Sequence, residues 1–236
     1  MADGPTVHQR PTAIPDDWIA AYRQFRPALL GHVTDEGFID EKIRLLTGSE
    51  SAAADGPVLV IGTAITVRLP DGDLEAIVAA VDLLQPGDVL VIDHGGRESL
   101  ACWGELTSLA AKARGCVGVI VDGAIANLAE IASHQLPTFA RGVAALGGRR
   151  LGDGMVNQPI QCGGVAVHPG DLVVADTDGI VVLPPPRMVD VAADAKHLAQ
   201  RLPLARTWLQ RGGLLGEIMG LDAAGIQQLL TARGWT

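Results

Sequence analysis

Residues 58–93 carry VLVIGTAITVRL (58–69), DGDLEAIVAAVDLLQPGD (71–88) and VLVID (89–93), and their order decides the fold. The first segment is almost continuously aliphatic and β-branched with a glycine at its middle, the pattern of a strand buried on both faces. The second offers Asp71 or Asp73 as a helix start, repeats Leu74, Ile77, Val78, Val81 and Leu84 at helical spacing, and stops at Pro-Gly-Asp. The third is a second buried strand. Strand, helix, strand in this order predicts parallel strands joined by a crossover helix.

Toward the C-terminus the plan repeats. HGGRESLACWGELTSLAAKARG (94–115) reads as a glycine-rich loop passing into a helix, CVGVIVDG (116–123) as a strand and loop, and AIANLAEIASHQLP (124–137) as a helix closed by Pro137. From TFARG (138–142) onward the pattern changes to short strands separated by HPGD and DTDG turns. Met188 to Trp235 is helical, broken by Pro203 and by Gly212-Gly213. Toward the N-terminus, residues 1–18 hold three prolines and no periodicity, which predicts an extended arm. Trp18 to about Leu46 has helical spacing interrupted at Gly31 and Gly37, which predicts two short helices around GHVTDEGF. The expected organisation is therefore an arm and helical cap (1–57), an α/β domain (58–187) and a helical tail (188–236).

Composition limits the function. The 236 residues are 48% hydrophobic and 19% charged, so there is ample apolar material to offset the entropy of ordering the chain. A net charge of −9, with no basic run longer than Arg149-Arg150, argues against a nucleic-acid partner. No apolar run approaches the roughly 18 residues of a membrane span, and the N-terminus lacks the basic and apolar regions of a leader, which predicts a cytoplasmic chain. Three cysteines, at 102, 116 and 162, have no metal-binding or disulfide spacing and read as reduced core or loop thiols.

Open α/β sheets place ligands on the loops that follow parallel strands. The first such loop runs Asp93-His94-Gly95-Gly96-Arg97 and leads to Trp103-Gly104-Glu105-Leu106-Thr107. Its glycines would let backbone amides approach an anion, and the amides of Leu106 and Thr107 in the first helical turn would bind a carboxylate. The second runs Val121-Asp122-Gly123-Ala124-Ile125-Ala126-Asn127, where an Asp-Gly turn with Asp122 capping a helix is the ordinary reading. His94 and His32 are the better acid/base candidates among the histidines, His94 because it sits in the glycine loop; a surface-loop role for it stands beside that reading.

Taken together, GTAITVR, QPGDVLVID, WGEL with AAKARG, GVIVDGAI, FARG, NQPIQCGGVAVHPGDLVVADTDGIVVLP and the late GLD resemble the RraA-like family. That family includes 4-hydroxy-4-methyl-2-oxoglutarate / 4-carboxy-4-hydroxy-2-oxoadipate aldolases and the regulator of ribonuclease E activity A. The resemblance, from about residue 58 to 184, implies a β/β/α sandwich of the swivelling phosphohistidine-domain type. It also implies a homotrimer or dimer of trimers with sites between subunits. In the aldolases a divalent metal, typically Mg, helps hold a 2-oxo acid and stabilise the enolate left by carbon–carbon cleavage. Carried onto this chain, the resemblance gives the carboxylate to the Leu106 and Thr107 amides beside Gly104, and a proton-relay role to Glu105.

The chain departs from the aldolases in the second loop. They read Asp-Gly-x-x-Arg-Asp, with substrate-binding Arg and metal-ligating Asp; here Ala126 and Asn127 stand at those two positions. Ala126 cannot replace a bidentate guanidinium, and Asn127 offers a neutral oxygen, a weaker ligand for Mg than a carboxylate. The acidic residue that a neighbouring subunit supplies in the aldolases falls near His197 to Gln200, with Glu217 as a substitute nearby. Three readings follow: a lyase on a small 2-oxo or hydroxy acid with Glu105 as acid/base; a non-catalytic, protein-binding regulator; or a metal-independent isomerase, cyclase or decarboxylase in which His94, His32 or Arg97 does the work.

Overall fold

The computed structural model describes residues 4–48, 57–70, 73–149 and 152–235. Asp71, one of the two expected helix starts, lies outside them. In chain order the elements are β1 (Thr6–Val7), α1 (Asp16–Tyr22), α2 (Pro27–Leu30), β2 (Arg44–Thr47), β3 (Val60–Arg68), α3 (Glu75–Leu83), β4 (Asp88–Trp103), α4 (Glu105–Ala113), β5 (Gly118–Ile125) and α5 (Leu128–Ser133). There follow β6 (Thr138–Val143), β7 (Met155–Val156), β8 (Ile160–Cys162), β9 (Val165–Val167), β10 (Leu172–Ala175), β11 (Ile180–Leu183), α6 (Pro185–Gln210), α7 (Leu215–Ile218) and α8 (Ala223–Ala232).

The β-branched runs form the parallel heart β3-β4-β5-β6, edged by β2 antiparallel to β6. Asp73 marks the start of α3 as expected, its carboxylate accepting the Glu75 N–H at 2.9 Å. The helical spacing in the crossover segments puts Ala76, Ile77, Ala80 and Val81 of α3, Ala111 of α4 and Ile131 of α5 against Ile65, Leu90, Ile92 and Val121 on one sheet face. The other face, through Val89, Val91, Ile120 and Phe139, is covered by Ile160 and Cys162 of β8, Val167 of β9, Val173 of β10 and Ile180 of β11. β10 pairs with β3 and with β11, and the outer side of that hairpin packs on Tyr22, Leu30 and Met188 from α1, α2 and α6. The result is a mixed α/β fold whose central sheet lies between helices and a second set of strands. The tail has its own small core of Trp208, Ile218, Ile226 and Leu230.

Three expectations are corrected. Both N-terminal helices precede GHVTDEGF, and the segment after it supplies the edge strand β2, because Arg44 to Thr47 can satisfy its backbone on β6. The glycine-rich loop after residue 93 is not a break: β4 continues to Trp103, bulging where its register on β5 shifts. Gly95 and Gly96 adopt φ of +65° and +70°, which lets the chain bend and resume pairing at Arg97↔Gly123. The HPGD and DTDG turns separate short strands as expected, β9 from β10 and β10 from β11, and the hairpins are β8–β9 and β10–β11. Pro203 does not end a helix but lies inside α6, while the break at Gly212-Gly213 stands. Among the described residues no helix is long and apolar enough to cross a membrane.

Candidate functional site

Six of the sequence-derived site residues meet where β4 and β5 end. Gly104 precedes α4, Glu105 is its first residue and half-buried, Leu106 is 75% exposed, and Thr107 completes the turn. The Thr107 hydroxyl accepts the Gly104 N–H at 3.1 Å and donates to the Gly104 carbonyl at 2.9 Å. That closes the turn, while first-turn amides have no acceptor within the helix itself. Across from it the Ala126 N–H donates to the Trp103 carbonyl at 2.8 Å, and Asn127 follows at φ 55°, a left-handed conformation that asparagine tolerates. The Asn127 Oδ1 lies 3.1 Å from where a Cβ on Gly104 would stand, so a neutral oxygen sits at the mouth of the helix N-terminus.

The other four, His94, Gly95, Gly96 and Arg97, lie further down, beside Gly123 rather than Asn127. A Cβ on Gly123 would sit 2.8 Å from the His94 Nδ1 and 3.0 Å from the Arg97 carbonyl, so this glycine is what lets β4 pass close over β5. The imidazole is only 3% exposed, not on a surface loop, and neither ring nitrogen has a hydrogen-bond partner among the described residues. Burial lowers its pKa, reinforced by the Arg97 charge and opposed by Asp93 and Asp122. His32 is remote from both groups, on a cleft at the other side of the N-terminal helices.

Asp122 is no helix cap, because β5 runs through it to Ile125. Its carboxylate accepts from the Arg141 Nε on β6 and, at 2.7 Å, from the Gly163 N–H at the β8–β9 turn. Arg141 also donates through Nη1 to Asp40 at 2.8 Å. The hydrogen bond to Asp122, and then that to Asp40, hold the guanidinium firmly protonated. The Lys42 backbone N–H and Arg141 hold Asp40 below the usual carboxylate range. The sequence pattern carries no sign of this triad: TFARG opens the region of short strands, and Asp40 lies 101 residues from its partner. The cysteines are buried thiols as expected, with burial pushing Cys102 up to about 12 and Cys116 up to about 11.

A Mg-type ion takes about six oxygen ligands, mostly charged. Among the described residues no three His, Cys, Asp or Glu side chains gather as a metal-binding set, and the mouth of α4 offers the Glu105 carboxylate and the neutral Asn127 oxygen. Glu217 is engaged within the tail, accepting from the Leu214 N–H at 2.8 Å and facing Arg233 at 3.3 Å. Among the described residues, the donors of a single chain do not fit such an ion.

A family model described as RraA-like, Aldolase/RraA, matches residues 32–182. A Halalkalibacterium halodurans protein with the provisional name 4-hydroxy-4-methyl-2-oxoglutarate aldolase is 39% identical over 58% of this chain, which spans 65% of that protein's length. An uncharacterized protein of Methanocaldococcus jannaschii is 30% identical over 70% of this chain and 79% of its own. Among solved structures, RraAS2 of Streptomyces coelicolor, described as an unusual member of the RNase ES inhibitor RraA family, superposes with a TM-score of 0.71 at 24% identity, covering 84% of this chain and 98% of that one. The RNA-processing inhibitor RraA of Thermus thermophilis gives a TM-score of 0.59 at 25% identity over 67% and 92%.

Proposed function

Since the chain belongs to the RraA-like family, which holds both named aldolases and RraA regulators, we propose that it is a carbon–carbon lyase acting on a small 2-oxo or hydroxy acid. The observation that carries this reading is the half-buried Glu105 at the first position of α4, next to the first-turn Leu106 and Thr107 and the exposed Asn127. The two amides hold the substrate carboxylate, helped by the positive end of the helix. Glu105 takes the proton of the hydroxyl on the carbon to be released. As that oxygen becomes a carbonyl, the carbon–carbon bond breaks and its electron pair passes into the enolate of the 2-oxo acid. Protonation of the enolate carbon then yields product and restores Glu105. Ala126 supplies no guanidinium to this site, which predicts weak substrate binding relative to a site with an arginine there.

The test is pyruvate release from 4-hydroxy-4-methyl-2-oxoglutarate, with and without Mg, by the wild type and by Glu105→Gln. The expected result is slow release that falls by about a hundredfold in the variant with an unchanged melting temperature. No release from folded wild-type protein removes the aldolase.

A second reading, a protein-binding regulator, is favoured by the replacement of the charged pair by Ala126 and Asn127. Its measure is whether the purified protein lowers the rate of a ribonuclease E-type enzyme at stoichiometric ratio.

For either reading the working unit is a homotrimer or dimer of trimers. Leu106, Leu109, Leu128, Val143 and Leu146 are exposed by 75%, 49%, 37%, 53% and 67%, and they belong to α4, α5 and the segments around β6 that frame the site.

A further inference from the structure

A cleft of about 960 Å³ opens between the N-terminal helices and α6, and no residue of β4, α4 or β5 lines it. Its volume lies within the range of small-molecule sites, roughly 300–1,000 Å³. Leu29 and Val33 on one wall and Leu198 and Leu202 on the other give it an apolar floor. Arg201 and Arg206, from successive turns of α6, stand on the same wall.

Arg201 of α6 leaves hydrogen-bonding capacity in this cleft. Arg201 is anchored from behind, its Nη2 donating to the Ile218 carbonyl of the tail at 3.0 Å, yet its buried Nε has no acceptor among the described residues. A buried donor without a partner is costly, and an incoming acceptor recovers that cost. The rim carries both signs, with Asp178, Asp194 and Asp222 balancing the arginines. Asp222 is occupied in capping α8 through the Gly225 N–H at 2.8 Å, and Asp178 and Asp194 are solvent-exposed. The buried, unsatisfied group is a guanidinium donor.

We propose that this cleft is a second binding site, taking an amphipathic organic carboxylate whose apolar body lies on Leu29, Val33, Leu198 and Leu202 and whose carboxylate meets Arg201 and Arg206. His32 and His197 stand on the same rim as further hydrogen-bonding groups. The site bridges the N-terminal helices and the tail, so its occupant ties together the two flanks of the α/β core.

Isothermal titration calorimetry with hexanoate, hexylammonium and hexanol on the full chain tests this. The expected order is hexanoate binding, hexanol binding at least about tenfold more weakly, and hexylammonium not binding. Arg206→Glu, an exposed position with little risk to folding, should weaken hexanoate by at least about tenfold while Arg206→Lys retains it within about threefold. Dependence on Arg206, which lies in the tail and far along the chain from Gly104 to Thr107, separates this site from the mouth of α4. Absence of hexanoate binding, preference for hexylammonium, or indifference to Arg206→Glu would each overturn the proposal.

Discussion

His94 is a residue whose burial has a measurable sign. Its folded-state pKa is depressed by desolvation, so below the ordinary histidine value of about 6.5 the unfolded chain takes up a proton that the folded chain refuses. Its contribution is therefore intact above about pH 6.5 and declines as pH falls toward the depressed value, by at most about 1.4 kcal/mol per pH unit. Urea midpoints at about pH 7.5 and about pH 5.5 should show a larger acid loss in the wild type than in His94→Leu. An equal loss in both would mean that the imidazole charges freely in the folded state. Asp122 makes a different residue-level prediction. It and Arg141 are nearly buried, with side chains 9% and 11% exposed, and removing one partner strands the other. Asp122→Ala should cost about 3 kcal/mol or more by chemical denaturation, whereas a surface pair such as Arg114–Asp82 should contribute less than about 1 kcal/mol.

Among the elements, the strand–helix alternation through 58–137 was legible because hydrophobic periods of 2 and 3.6 survive in a single sequence. So was the meeting of Gly104 to Thr107 with Ala126 and Asn127, since both follow parallel strands that are neighbours in the sheet. What was not legible depends on tertiary partners. HGGRES resumes pairing because Gly123 leaves room for it, and Arg44 to Thr47 becomes a strand because the edge of β6 is open. The Asp40–Arg141–Asp122 link joins three distant segments through single side chains, for which no periodic signal exists. Pro203 inside α6 belongs with these, because packing of the flanking turns on the N-terminal helices and on α8 overrides a local breaker. That conflict yields an element-scale prediction. Pro203→Ala restores an N–H facing the Ala199 carbonyl and should raise the melting temperature, the helix-interior difference being up to about 3 kcal/mol. A lower melting temperature would show that the proline itself is required where the tail joins.

At the scale of the molecule, the exposed leucines and valine of α4, α5 and the segments around β6 are the natural candidates for an interface between subunits. A specific interface buries roughly 1,200–2,000 Å² in total and concentrates its energy in a few apolar anchors. Leu106 and Leu146, at 75% and 67% exposed, are the most prominent of these, and Leu146 is fixed on the β4 edge by its carbonyl accepting the Ala101 N–H at 2.7 Å. Sedimentation equilibrium of the wild type should therefore give a trimer's or hexamer's mass. Leu146→Glu places a carboxylate that must be desolvated at the contact, at a cost of several kcal/mol, and should reduce the protein to monomer without unfolding it. If Glu105 works only in a site closed by a neighbour, the same variant should lose pyruvate release together with its assembly. Release that persists in the monomer would place the whole reaction within one chain. A wild type that is itself monomeric would overturn the trimeric working unit and leave the apolar rim to a different partner.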